Sequence, residues 1–147
     1  MTDKKTPADA GAPVGGRPSQ EDYEALSDFR YSVRCFLEFS EKAAREAGLT
    51  PQQHQALLAV RGFPAGSAVT IGDLAERLRI RHNSAVELVD RLVEADLLVR
   101  TPDALDNRRV LLTLSTAATG LLSGLSVVHL DELSRLRPVL KGILRRI

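Results

Sequence analysis

The sequence predicts a mainly α-helical domain carrying a single β-hairpin, and three observations support this. Apolar residues recur at three- and four-residue steps over most of the chain, the spacing of one buried helix face. Two short runs rich in β-branched and apolar residues, Leu97-Leu98-Val99-Arg100 and Arg109-Val110-Leu111-Leu112-Thr113-Leu114, flank a turn-rich stretch at 101–108. A length of 147 residues, 44% hydrophobic and 27% charged, fits one globular domain and excludes a wholly disordered chain.

The helices follow in order. Residues 1–20 hold Gly11, Gly15, Gly16, Pro7, Pro13 and Pro18 without apolar periodicity, and read as an unstructured N-terminal tail. From Glu21 to Gly48, Leu26, Phe29, Val33, Phe36, Leu37, Ala43 and Ala44 mark a long amphipathic helix, with Gly48 suited to a left-handed C-cap. Thr50-Pro51 opens a second helix, Thr as N-cap and Pro in the first turn, which the Gly62–Gly66 stretch breaks. Val69-Thr70-Ile71 is a stub of strand, and Thr70 with Asp73 forms a capping box before Leu74-Ala75-Glu76-Arg77-Leu78. After a turn at Arg79-Ile80-Arg81, a fourth helix spans about His82 to Ala95. One further helix runs from Ser115 to about Leu136, and Pro138 opens a short last one.

On the fourth helix, Ala85, Leu88, Val89, Leu92 and Val93 share one face. Asn83, Glu87, Asp90, Arg91 and Glu94 lie opposite, with Ser84 at the margin. Two short helices joined by a tight turn form a helix-turn-helix. A basic hairpin following at once makes it a winged helix: a three-helix core plus a β-hairpin wing. A major groove admits a helix, and an Arg on a slim hairpin fits the narrow, strongly negative minor groove. The expected partner is therefore double-stranded DNA.

Composition narrows the alternatives. One Cys excludes an internal disulfide framework, and with three scattered His it leaves no metal site or cofactor to expect. No apolar run reaches the roughly 18 residues of a membrane span, and the N-terminus has no apolar signal-peptide core, so a cytoplasmic location is expected. No Ser–His, Cys–His or paired-carboxylate arrangement is placed by these helices, so an enzyme is not expected. Aromatic residues make up 4% and Trp is absent, which excludes base-stacking platforms. The net charge of +1 conceals a bias, because 16 of the 20 basic residues are Arg, the side chain suited to forked recognition of phosphates and base edges. Charge also separates along the chain: 21–48 sums to −3 and 135–147 to +5. Together with terminal apolar stripes too large for a small core to cover, this points to dimerisation helices at 21–48 and 116–147 around a DNA-binding core at 49–115.

Over about 22–147 the sequence resembles the MarR family of winged-helix transcriptional regulators. The residues that carry the resemblance are Leu49-Thr50-Pro51-Gln52-Gln53, Leu74-Ala75-Glu76-Arg77-Leu78, Leu88-Val89-Asp90-Arg91-Leu92, Asp106-Asn107-Arg108-Arg109 and Leu114-Ser115. Each is weak alone; the ordered set is specific. The resemblance implies a homodimer on a pseudo-palindromic operator, often released by a small anionic or phenolic ligand between the dimerisation helices and the winged core. The sequence departs from the family at Asp96 and Ala118, where Gly is usual, and at Glu87, where a basic or hydroxyl residue is common.

Arg108, at the wing tip, is the foremost candidate for DNA contact. Arg81 and Arg91 suit phosphates or a solvated face, and His82, Asn83 and Ser84 sit where a recognition helix meets bases. Ser84 with Glu87 also has capping-box spacing; otherwise Glu87 could accept from a cytosine amine. Asp90, Asp106 and Arg109 read as wing-stabilising, Arg109 pairing with Asp106 or Asp90. His54, Phe36, Phe39 and Arg61 could line an effector crevice, although a packed core is the better reading for His54 and both Phe, and His54 could also sense pH. Cys35 reads as structural, with thiol-based redox sensing as the alternative; it lies mid-helix, away from the N-terminus that would lower a thiol pKa. A winged-helix protein-interaction module using Glu87, Asp90 and Glu94 is the competing function.

Overall fold

A computed structural model describes residues 16–65 and 67–147; most of the expected N-terminal tail lies outside the described residues. Six helices and one hairpin follow in order: α1 (Gln20–Glu46), α2 (Pro51–Arg61), α3 (Ile71–Leu78), α4 (His82–Glu94), β1 (Leu98–Pro102), β2 (Val110–Leu114), α5 (Thr116–Arg135) and α6 (Arg137–Leu144). They divide into two compact units. One comprises 39–130, and the other the first part of α1 through Glu38 with 131–147.

The 39–130 unit is the winged helix. Its core gathers Leu57 and Val60 of α2, Leu74 of α3, Leu88, Val89 and Leu92 of α4, Leu98 and Leu112 of the hairpin, and Leu122 and Leu125 of α5. The buried set on α4, Ala85, Leu88, Val89 and Leu92, is the face its 3.6-residue periodicity predicts.

The helix boundaries follow from local chemistry. Thr50 and Gln53 form a reciprocal capping box at α2, and Thr70 and Asp73 form one at α3. Between α3 and α4 the chain reverses at Arg79, which takes the left-handed conformation (φ 56°), and Ile80 N–H donates to the Ala75 carbonyl (3.0 Å). Ending α3 this way starts α4 at His82, with Arg81 as an N-cap that makes no side-chain capping bond. The Ser84–Glu87 capping box is therefore not formed, because Ser84 already lies inside the first turn. Asp96 ends α4 with φ 57°, the left-handed geometry for which Gly is usual and Asp among the better substitutes.

The wing is a two-stranded antiparallel ribbon pairing Leu98 with Leu114, Arg100 with Leu112 and Pro102 with Val110. The stub at Val69 and Thr70 joins it: Leu112 N–H donates to the Val69 carbonyl (2.8 Å), and Thr70 bridges to Leu111. This ties the wing root to the start of α3.

In the second unit Arg146 Nη1 bonds Asp22 Oδ1 at 2.8 Å. The acidic start of α1 thus meets the basic C-terminus within one chain. The Asp22 carboxyl is held below its usual value, first by the Ser19 backbone amide and then by Arg146. Tyr23, Leu26, Leu37, Leu140 and Leu144 of this unit remain exposed. Among the described residues, no helix is long and apolar enough to cross a membrane.

Candidate nucleic-acid interface

The exposed end of α4 leaves backbone donors free of the helical ladder. Ala85 N–H makes the first intrahelical bond, to the Arg81 carbonyl (3.0 Å), so the amides of His82, Asn83 and Ser84 precede the helical ladder. Arg81, His82, Asn83 and Ser84 are all exposed. One face of α4 then presents Asn83, Glu87 and Arg91 at four-residue steps, each exposed and opposite the buried leucines.

The wing tip is built by its two aspartates. Leu105 N–H donates to Asp103 Oδ1 (3.0 Å) and Arg108 N–H to Asp106 Oδ1 (3.1 Å). Backbone bonds from Asp103 N–H to the Arg109 carbonyl and from Arg109 N–H to the Asp106 carbonyl, both 3.0 Å, close the loop. Short side-chain-to-backbone bonds of this kind are why Asp favours turns.

The arginines thereby separate into two groups. Arg100 binds Asp90, and Arg109 Nε lies 4.0 Å from Asp103. Among the described residues, the guanidinium groups of Arg108, Arg81 and Arg91 have no carboxylate within ion-pair distance. The sequence pairs Arg109 with Asp106 or Asp90; its carboxylate partner is instead Asp103, because Asp106 turns its side chain to the Arg108 amide and touches Arg109 only through the backbone. Asp90 is occupied from the strand. Arg100 shares a sheet face with Leu98, since alternate residues point the same way, and that face packs toward α4. Strand alternation is the signal that would have found Arg100 in the sequence.

Arg108 and Arg109 also border a cavity of about 300 Å³ with His82 of α4, Val110 of β2, and Thr70, Ile71 and Gly72 at the start of α3. Two arginines and a histidine thus border one cavity at the start of α3, whose first turn carries the Thr70–Asp73 capping box. A phosphate group suits this chemistry. The contribution of Thr70, Ile71 and Gly72 is tertiary, arising because the Val69 stub pairs with β2.

A second polar cluster lies inside the winged unit. His54 is 3% exposed, and its Nδ1 is the one buried side-chain nitrogen or oxygen without a hydrogen-bond partner among the described residues. Its ring lies 4.8 Å from that of His129, which packs edge-on to Phe39 at 5.4 Å. His129 Nδ1 is 2.6 Å from the Leu125 carbonyl, which can only accept, so that nitrogen carries the proton; Nε2 is 2.8 Å from the Ser40 hydroxyl. His129 continues the Ala118, Leu122, Leu125 stripe of α5, a helical spacing that marks it as core-facing. Of the other crevice candidates, Arg61 is exposed in the last turn of α2, roughly 10 Å along the helix from His54, and Phe36 is half-buried on α1. Cys35 is also half-buried, and its thiol, one helical turn from the Tyr31 phenol, is the main cause that raises the Tyr31 pKa.

Burial pushes the His54 imidazole below its ordinary 6.5, and His129 adds to the shift. The unfolded chain therefore binds this proton more readily than the folded one. His54 leaves stability intact above about pH 6.5 and removes it as pH falls toward the lowered folded-state value. Urea unfolding at about pH 8 and about pH 5.5, on either side of the unfolded-state value, should show a lower midpoint in acid, and His54→Leu should reduce that difference. An equal acid loss in both proteins would assign it elsewhere.

Comparison with known proteins finds similar folds. Residues 47–109 match the model of the MarR family, whose members are transcription regulators. The fold is similar to that of MepR from Staphylococcus aureus, a transcription regulator of a multidrug efflux pump (TM-score 0.67, 20% identity, covering 79% of this chain and 82% of that one). A mutant MepR bound to an oligodeoxyribonucleotide is similar at TM-score 0.64 and 22% identity, with 77% and 79% covered. Apo MarR from E. coli gives 0.60 at 20% identity, with 81% and 96% covered. These likenesses establish a MarR-type winged helix. Comparison of the sequence with curated proteins finds no match.

Proposed function

We propose that this chain, a MarR-type winged helix, is a sequence-specific DNA-binding transcriptional regulator, a cytoplasmic repressor that binds a pseudo-palindromic operator as a homodimer. The meeting of His82 and Arg108 at one cavity beside the start of α3 carries this proposal, because it joins recognition helix and wing into one surface for a DNA strand. α4 enters the major groove through Arg81, His82, Asn83 and Ser84, with Glu87 facing bases and Arg91 a phosphate, and Arg108 enters the flanking minor groove. Asp90 with Arg100, and Asp103 with Arg109, hold the wing without competing for phosphate.

Homodimerisation is supported by the apolar side chains exposed beside the Asp22–Arg146 pair, Leu26, Leu140 and Leu144 among them. Two-fold symmetry then sets half-sites about one helical turn, roughly 10–10.5 bp, apart or a multiple of that. A small anionic or phenolic ligand releases the operator by engaging His54 and Phe39, a reading supported by the buried His54 Nδ1 without a hydrogen-bond partner.

Selection of bound duplexes from a random library, followed by titration of the winner across salt, tests the function. The expected result is an enriched palindrome, two chains per duplex, and affinity falling steeply with log salt as several phosphates release counterions. No enrichment, with a flat salt response, would instead favour the protein-interaction module.

A further inference from the structure

Leu105 is the most exposed large hydrophobic residue among those described, at 97%. It occupies the apex of the wing, where Gly, Pro, Asn, Asp and Ser are the usual turn formers. The loop does not require a leucine: it is held by the Asp103 and Asp106 carboxylates and by the backbone bonds between Asp103, Asp106 and Arg109. Those bonds draw both acids inward onto amides and leave the leucine side chain pointing free. Burying a Leu side chain takes its apolar surface out of water, and here none of that burial is gained within the described residues.

Charge makes the same point. The segment 103–109 carries Asp103 and Asp106 against Arg108 and Arg109, a formal sum of zero. With Arg109 drawn toward Asp103, Arg108 is the one tip guanidinium without a carboxylate partner among the described residues. A second, apolar contact would supply what charge does not. Apolar side chains inserted from the minor groove partly unstack a base step and bend the duplex.

We propose that Leu105 is such a wedge: it enters the minor groove beside Arg108, packs on the sugar walls and base edges, and opens one base step on each flank of the operator. The proposal rests on the DNA-binding function above. It adds a preference for deformable pyrimidine–purine steps beneath the wings, at positions without a base-specific hydrogen bond.

The test uses the full chain and a duplex selected by the wild-type protein, with 2-aminopurine replacing adenines under the wings. Wild type should raise the probe's fluorescence as the step unstacks. Leu105→Ala should abolish that rise and weaken binding about tenfold, with the slope of log affinity against log salt unchanged, because no phosphate contact is lost. Arg108→Ala should instead lower that slope. Leu105→Met should restore the signal. If Leu105→Ala binds within twofold of wild type, or the wild-type complex gives no fluorescence rise, the wedge is overturned while DNA binding stands. If the wild type selects no duplex, the DNA-binding function fails first and the wedge with it.

Discussion

Arg108→Ala should bind the selected duplex about 10- to 100-fold more weakly, the loss of roughly 1–3 kcal/mol expected when one groove contact is removed. Its guanidinium is exposed and unpaired among the described residues, while Arg109 beside it lies within 4.0 Å of Asp103. The backbone amide that helps to shape the tip, Arg108 N–H to Asp106 Oδ1, survives the substitution. Thermal unfolding should therefore stay within the roughly ±0.5 kcal/mol usual for surface changes. Anisotropy titration at matched salt, paired with a melting curve, separates the two effects. Undiminished affinity would remove the wing from the interface; a large fall in Tm would make the residue structural.

Leu92→Ala should have the opposite profile. Leu92 is fully buried on α4, and its carbonyl accepts the Leu97 N–H (2.9 Å) that turns the chain into β1. Truncation removes the packing that presses α4 onto the core and leaves a cavity, for a loss of about 2–5 kcal/mol. The corresponding fall in Tm is on the order of 10 °C. Its neighbour Arg91 points outward, so Arg91→Ala should leave stability nearly unchanged while lowering the salt slope by about 1 per chain. Urea unfolding of the two variants checks the contrast. A stable Leu92→Ala protein would mean that the helix is anchored by something other than this face.

The elements most legible in the sequence were those fixed by short-range rules. Thr50 with Gln53 and Thr70 with Asp73 cap α2 and α3 because a hydroxyl and a carboxyl or amide three residues apart can satisfy one another's backbone donors. The buried face of α4 follows from helical period alone. The same local reasoning failed at Ser84 and Glu87, whose spacing fits a capping box but whose helix begins two residues earlier. The expected start near His82 is the observed one, and the reversal before it rests on Arg79 in a left-handed conformation, for which an arginine gives no sequence signal.

Pairings between distant segments were harder to read. The sequence offers Arg109 two carboxylates, Asp106 and Asp90, but the hairpin register places Arg100 on the α4 side, where it takes Asp90, and Arg109 lies by Asp103. His54 and His129 are on different helices, and their rings meet because α2 and α5 share a core.

The helix order, the capped starts of α2 and α3, the core face of α4 and the acidic turn of the wing are all written in the order of the residues. Period and turn chemistry act over a few positions, so they can be read along the chain. Which arginines are consumed by aspartates, and which stay free, emerged only from the folded arrangement. So did the placing of the α3 N-terminus beside the wing arginines and the burial of His54 against a second histidine. Those outcomes depend on where packed helices and a paired strand bring side chains together in space.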